Sequence, residues 1–183
     1  MNPHKISLSL LGAFLILMTS LIGSVSEAMV IEGGLDYPVA IGSLGQSLNP
    51  NPGFTGSLYF NPILSDSINN FLSMSYASFT VKADGKTSYR VIPILVGLEL
   101  PGKVSDSVRT TFSAAVGGSL AYLNVINSAS TNMNAYLTAQ VKGGVDIDLS
   151  SNISFYARTP ITFVISSNSL SFVSYSLGLG FKI

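Results

Sequence analysis

Histidine is the side chain most often used to move protons near neutral pH, and this 183-residue chain has one, His4, with no cysteine at all. His4 lies in an N-terminal segment with the features of a secretory leader. A mature chain starting at Met29 therefore has no histidine. That excludes histidine-dependent acid–base or nucleophilic catalysis and removes the commonest nitrogen and sulfur ligands of a metal ion. No catalytic residue, metal site or cofactor is therefore expected. What is left facing the interior is a sparse set of charged groups: Glu99, Lys142, Asp146, Asp148, Arg158 and Lys182. Lys142, Asp146 and Arg158 fall on one face of two successive strands joined by the turn Ser150-Ser151, so they can approach one another across the hairpin. Their ordinary use is an ion-pair cluster, since charges enclosed in a narrow barrel must be compensated. A proton or ion path, or a ligand clamp, is the sharper alternative. Asp146 and Asp148 have the look of a paired acid–base set, but beside a turn they read as solvated charge.

The elements that must position these groups are strands. Over 135–149, Ala135, Leu137, Ala139, Val141, Val145, Ile147 and Leu149 alternate with Tyr136, Thr138, Gln140, Lys142, Asp146 and Asp148. A helical period of 3.6 would scatter those charges among the apolar positions, whereas a period of two separates them cleanly. The same alternation recurs over 153–166 and from Val173 to Ile183. Fainter versions occupy 110–123, 87–100, 54–64 and a first strand around 37–46. Residues 71–82 read as a strand whose two faces do not separate. Eight strands result, joined at 46–53, 65–70, 83–86, 101–109, 125–133, Ser150-Ser151 and 167–169, all rich in Gly, Pro, Asn, Asp and Ser. Short connections between consecutive strands predict an all-β, antiparallel up-and-down barrel with both termini at one end.

Composition decides what surrounds that barrel. Charged residues make up 10% of the chain and hydrophobic ones 47%, against about 25% charge in an ordinary soluble domain. After residue 28 no apolar run approaches the roughly 18 residues of a membrane helix. If the aliphatic face lined a cavity, as in a soluble ligand-binding barrel, the exterior would be Gly, Ser, Ala and Thr with little charge, a poor surface in water. If it met lipid, small and polar residues would fill the narrow interior of eight strands. The second arrangement predicts a transmembrane barrel, with Phe112, Tyr122, Tyr175 and Phe181 available for aromatic girdles.

The address agrees. Lys5 precedes an apolar stretch, Leu8 to Ile22, and Ser24-Val25-Ser26-Glu27-Ala28 ends in small residues. Residues 1–28 read as a signal peptide cleaved after Ala28, and 29–183 as the barrel domain. Without Cys there is no lipidated anchor. The mature chain keeps eight basic side chains (nine less Lys5) and eight acidic ones (nine less Glu27). It therefore offers no basic stripe to a nucleic acid.

The chain ends Ser176-Leu177-Gly178-Leu179-Gly180-Phe181-Lys182-Ile183. Ser176, Gly178, Phe181 and Ile183 resemble the C-terminal assembly signal of bacterial outer-membrane proteins, with Ile183 where an aromatic residue is usual. Val91 to Leu100, and Gly143 to Leu149 followed by Ser-Ser, are similar to strand patterns of the small outer-membrane β-barrel family that includes the OmpA membrane domain, OmpX and OmpW. The likeness extends over 29–183 at the level of pattern. It implies a porin-like monomer in the cell envelope of a Gram-negative bacterium, contacting outer-membrane lipids, with both termini in the periplasm. It further implies delivery by periplasmic chaperones and insertion by the outer-membrane assembly machinery. Three roles stay open: a structural or surface-interaction barrel, a narrow channel or carrier for small apolar molecules, and a soluble secreted barrel holding a hydrophobic ligand.

Overall fold

The computed structural model describes residues 29–60, 68–124, 131–165 and 170–183. The leader reading of 1–28 and most of the connections at 65–70, 125–133 and 167–169 lie outside the described residues. Eight strands follow in chain order: β1 (Val30–Ile41), β2 (Leu48–Phe60), β3 (Asn69–Val81), β4 (Ser88–Lys103), β5 (Val108–Asn124), β6 (Thr131–Asp148), β7 (Ile153–Ile165) and β8 (Leu170–Lys182). Each is antiparallel to the next, and β8 closes on β1 from Val30–Lys182 to Ile41–Ser171. The expected eight-stranded up-and-down barrel is the architecture found. Strands of 12 to 18 residues, at about 3.3 Å per residue and tilted by about 40°, span the roughly 30 Å hydrocarbon layer of a bilayer.

β1 and β2 begin seven and six residues earlier than their sequence pattern suggests. β1 starts at Val30, and the stretch 43–46 that was expected to end it is a single 3-10 turn, Ser43–Gln46. Gly33 on the outward face breaks the aliphatic run and masks the alternation of Ile31 and Leu35 with Glu32 and Asp36. β2 takes in 48–53, expected as a loop, because its prolines lie in extended backbone where the missing N–H does no harm. The outward faces of β4 to β8 are the expected ones. Val116 is 60% exposed and Leu177 54%, while Thr111, Ser113 and Ser119 point inward. In β3 the inward positions hold Phe71 and Phe79, both fully buried. Large rings on the interior face make that strand apolar on both sides, which explains why its two faces could not be told apart.

The interior is layered along the barrel axis. At the end carrying the β1–β2, β3–β4, β5–β6 and β7–β8 connections, Phe79, Val91, Val164, Leu170 and Phe172 pack into an apolar plug. Phe79 and Phe172 meet edge to face at 5.7 Å. Toward the end where β1 begins and β8 ends, Tyr59, Phe71, Leu95 and Ala115 form a smaller cluster. The charged residues lie against that second cluster.

Candidate functional site

β7 aims Arg158 across the lumen from an inward position between Tyr156 and Pro160. Its guanidinium makes a bidentate fork to Glu32 on β1, Nη1 donating to Oε2 at 2.6 Å and Nη2 to Oε1 at 2.8 Å. Nε and Nη2 also donate to Asp146 on β6, at 3.2 and 2.9 Å. The flat face of the guanidinium lies 4.8 Å from the centre of the Tyr156 ring. Planar, delocalised charge with five donors suits this arrangement better than an ammonium would.

Tyr59 on β2 is the hub. Its hydroxyl accepts from Lys142 Nζ at 2.9 Å and from Arg158 Nη1, and donates to Glu99 Oε2 at 3.0 Å. A phenol has one proton and two lone pairs, so this oxygen is fully committed. Lys142 lies 3.7 Å from Glu99 and 4.2 Å from the centre of the Phe71 ring. Glu99, 2% exposed, is thus held by Tyr59 and Lys142 with Arg158 at 3.8 Å.

The three residues singled out from sequence are all in this belt, but not as one mutual triad. Arg158 and Asp146 pair as expected across the β6–β7 hairpin. Lys142 turns instead to Tyr59 and Glu99, and no ion pair joins it to Asp146 among the described residues. Asp148 lies nearer the mouth, bonded to Arg109 at 2.7 Å. Lys182 lines the open vestibule at the same end, a cavity of about 430 Å³. Two members escaped the sequence reading. Glu32 was missed because β1 was begun seven residues late. Tyr59 shares a face with Thr55 and Ser57 in the 54–64 alternation, which by itself assigns its hydroxyl no partner, although a lone inward tyrosine amid Ser and Thr is a signal of a bonded hydroxyl.

The C-terminal residues complete the wall. Ser176 and Gly178 face inward and Phe181 outward on β8. The N–H of Ile183 donates to the carbonyl of Met29 at 2.8 Å, closing the last rung between the start of β1 and the end of β8. Inward Gly34 and Gly178 are paired across β1 and β8, and a side chain on either would overlap the neighbouring backbone and the Tyr156 hydroxyl.

The belt sets two cations against three carboxylates and joins strands β1, β2, β4, β6 and β7 across the lumen. No cluster of metal-ligating side chains occurs among the described residues. No protein-family model matches the sequence, and neither does any curated protein sequence. The fold, however, has counterparts among solved structures. Neisserial surface protein A superposes with a TM-score of 0.67 at 14% identity, over 86% of this chain and 100% of that one. Ail, the attachment invasion locus protein of Yersinia pestis, gives 0.59 at 12% over 85% and 98%. The outer-membrane protein OprG of Pseudomonas aeruginosa gives 0.57 at 12% over 86% and 96%. The chain therefore shares the fold of small outer-membrane barrels along nearly its whole barrel domain.

Proposed function

We propose that this protein is an integral outer-membrane barrel of a Gram-negative bacterium, with a structural or surface-interaction role in the envelope and no enzymatic activity. The observation that carries the reading is the pairing of an aliphatic exterior with a closed, ion-paired interior. Leu35, Phe112, Val116, Leu137 and Leu177 stand exposed on the outer wall, a surface that water tolerates poorly and acyl chains cover at no cost. Inside, the apolar plug and the charge belt occupy the lumen at two levels, which counts against a wide open pore. Placement by the assembly machinery, with both termini periplasmic and Ser176, Gly178, Phe181 and Ile183 as the signal, follows from the same reading. One relative in fold is named for attachment and was solved with a heparin analogue, sucrose octasulfate. The described connections at the end opposite the start of β1, 42–47 and 82–87, are short, so the contact area that these two offer is small.

Cell fractionation tests the proposal. The protein should pellet with outer membranes, resist extraction without detergent, and migrate faster on a gel unheated than boiled. Recovery in the soluble periplasm or medium would overturn it and favour a secreted ligand-binding barrel.

A second reading has one specific observation behind it. β1 and β2 pair only from Val30–Tyr59 to Asp36–Gly53. Beyond that point β1 stays on β8 and β2 on β3, with Pro38 on one bank and Pro50 and Pro52 on the other, none of which has an N–H to give. Such a seam in the wall favours lateral passage of small apolar molecules. Faster uptake of an apolar fluorophore by cells with the protein than by cells without it would support this reading, and equal uptake would remove it.

A further inference from the structure

Charge on the described strands follows one rule with one exception, Arg90 on β4. Every other charged side chain of a described strand faces the lumen, lines its vestibule or, at Lys103, pairs with Asp106 in the turn beyond. Tyr89 and Val91, on either side of Arg90, turn into the apolar plug. Arg90 therefore shares the outward face with Ile92, Ile94, Val96, Leu98 and Leu100. It is exposed and makes no hydrogen bond or ion pair with the described residues. A cation on a lipid-facing wall calls for a counter-charge or for access to water.

The strand itself sets the depth of Arg90. Leu100 lies ten residues further along the same face, about 33 Å of strand and about 25 Å of height at a tilt of about 40°. That is the full height of an apolar band, so Arg90 stands at the band's edge toward the β3–β4 turn. The row at its level is polar across three strands. Arg90 pairs with Ser78 on β3, Ser78 pairs with Asn51 on β2, and Asn51 Nδ2 donates to Thr80 Oγ1 at 3.0 Å. Just beneath that row, Phe54 and Tyr76 stack on the outer wall at 5.2 Å. Above it, Lys86 lies about 13 Å along the strand from Arg90, and Lys82 flanks the other side of the same turn, both exposed. Between them the Asp84 carboxylate is bonded to Thr87 and to the N–H of Lys86. Three cations and one carboxylate leave a formal charge of about +2 on a single hairpin. No other charged side chain lies at that end among the described residues.

We propose that the outward face of the β3–β4 hairpin binds the phosphate of a phosphorylated lipid headgroup, with Arg90 as its anchor and Lys82 and Lys86 closing on it from the turn. The inference rests on the membrane reading above and names the lipid chemistry that this wall selects. A guanidinium matches two phosphate oxygens at once. A phosphomonoester carries about −1.5 to −2 at neutral pH, which the hairpin's charge balances. The occupant is a lipid rather than a dissolved anion because Arg90 lies below the turn, at the level where acyl chains begin. The chains of the bound lipid run down the wall over Phe54, Tyr76 and Ile92.

The test uses the barrel folded in maltoside micelles, which carry no phosphate. Fluorescent short-chain phosphatidic acid is titrated in, and phosphatidylcholine with the same chains and label serves as the comparison. Anisotropy should saturate at one phosphatidic acid per barrel, bound about tenfold more tightly than phosphatidylcholine. Arg90→Gln should weaken that binding about tenfold and Lys86→Gln about twofold. Lys103→Gln, an exposed cation at the opposite end, should leave it unchanged. Equal affinity for the two lipids, or wild-type affinity in Arg90→Gln, would overturn the proposal. Displacement by inorganic phosphate as readily as by unlabelled phosphatidic acid would overturn the lipid as occupant. Should Arg90→Gln not fold, Arg90→Lys and Lys86→Gln decide: weaker binding in either supports the site, and wild-type binding in both rejects it. Reconstitution into phosphatidylcholine vesicles keeps the two readings apart. A barrel that inserts but shows no preference for phosphatidic acid loses this site alone, whereas a chain that stays in water without detergent loses the membrane reading as well.

Discussion

Tyr59 binds two cations and one carboxylate through a single oxygen, and that arithmetic predicts how the belt fails. Removing the hydroxyl in Tyr59→Phe takes an acceptor from Lys142 and Arg158 and a donor from Glu99, leaving three buried polar groups short by one bond each. The loss should be about 1–3 kcal/mol. Arg158→Met is worse, because Glu32 and Asp146 then lie buried without their cation. About 3–5 kcal/mol is the scale for breaking such a pair from one side. Urea unfolding midpoints in micelles should rank wild type above Tyr59→Phe above Arg158→Met. A different residue reports on pH. In the turn between β3 and β4, the Asp84 carboxylate accepts from the Thr87 hydroxyl and from the N–H groups of Lys86 and Thr87. These bonds hold it below the usual carboxylate range, the Thr87 hydroxyl first. A lowered folded-state pKa means the turn's contribution is present above the unfolded value and lost as pH falls through the folded one. Carboxyl-carbon NMR should follow that titration, and Thr87→Ala should move it upward. At this scale the sequence was half legible. Lys142, Asp146 and Arg158 stand out because charge is rare and regularly spaced. Glu32 and Tyr59 did not, since their role depends on which strands the closed barrel brings opposite one another.

At the level of the strand, glycine does two different jobs that no pattern of apolar and polar letters distinguishes. Inward Gly34 and Gly178 leave room for the Tyr156 ring, and a Cβ on either overlaps backbone of the paired strand. Outward Gly33 meets nothing within 4 Å, and Gly143 only Thr111's carbonyl oxygen at 3.9 Å. Gly34→Ala and Gly178→Ala should therefore cost about 1–3 kcal/mol, while Gly33→Ala and Gly143→Ala stay within about 0.5 kcal/mol of wild type. Thermal gel-shift midpoints for the four variants check the split. The same chemistry explains which strands were readable beforehand. β6, β7 and β8 keep aliphatic residues outward and small or charged ones inward with few exceptions, so their faces follow from period two. β1 is interrupted by Gly33, β2 by its prolines, and β3 carries Phe71 and Phe79 on the wrong side for a two-letter code. Those interior rings are there because the closed lumen of eight strands must be filled by side chains, a demand set by closure and invisible along any single strand.

For the molecule as a whole, the aliphatic wall means something only relative to its solvent. A protein that crosses a bilayer must meet a cost for outward charge that rises toward the midplane, and a soluble barrel must not. Outward positions of β8 sample the depth: Tyr175 lies beside Tyr37, Leu177 beside Leu35, and Phe181 beside Ile31 at the end where β1 begins. Leu177→Arg should be destabilised by about 2–4 kcal/mol in phospholipid vesicles, against about 0–1 kcal/mol for Phe181→Arg near the interface. An inward change of similar size cannot mimic this gradient, since its effect depends on neighbours rather than on depth. Folding yields in vesicles with progressively longer acyl chains sharpen the measurement. The Leu177→Arg penalty should persist as the hydrocarbon layer thickens, and that of Phe181→Arg should grow as the layer reaches its level. Equal, small penalties at both positions would mean that this face meets water. The exposed aliphatic residues would then need a protein partner to cover them, and the membrane assignment would fall with them.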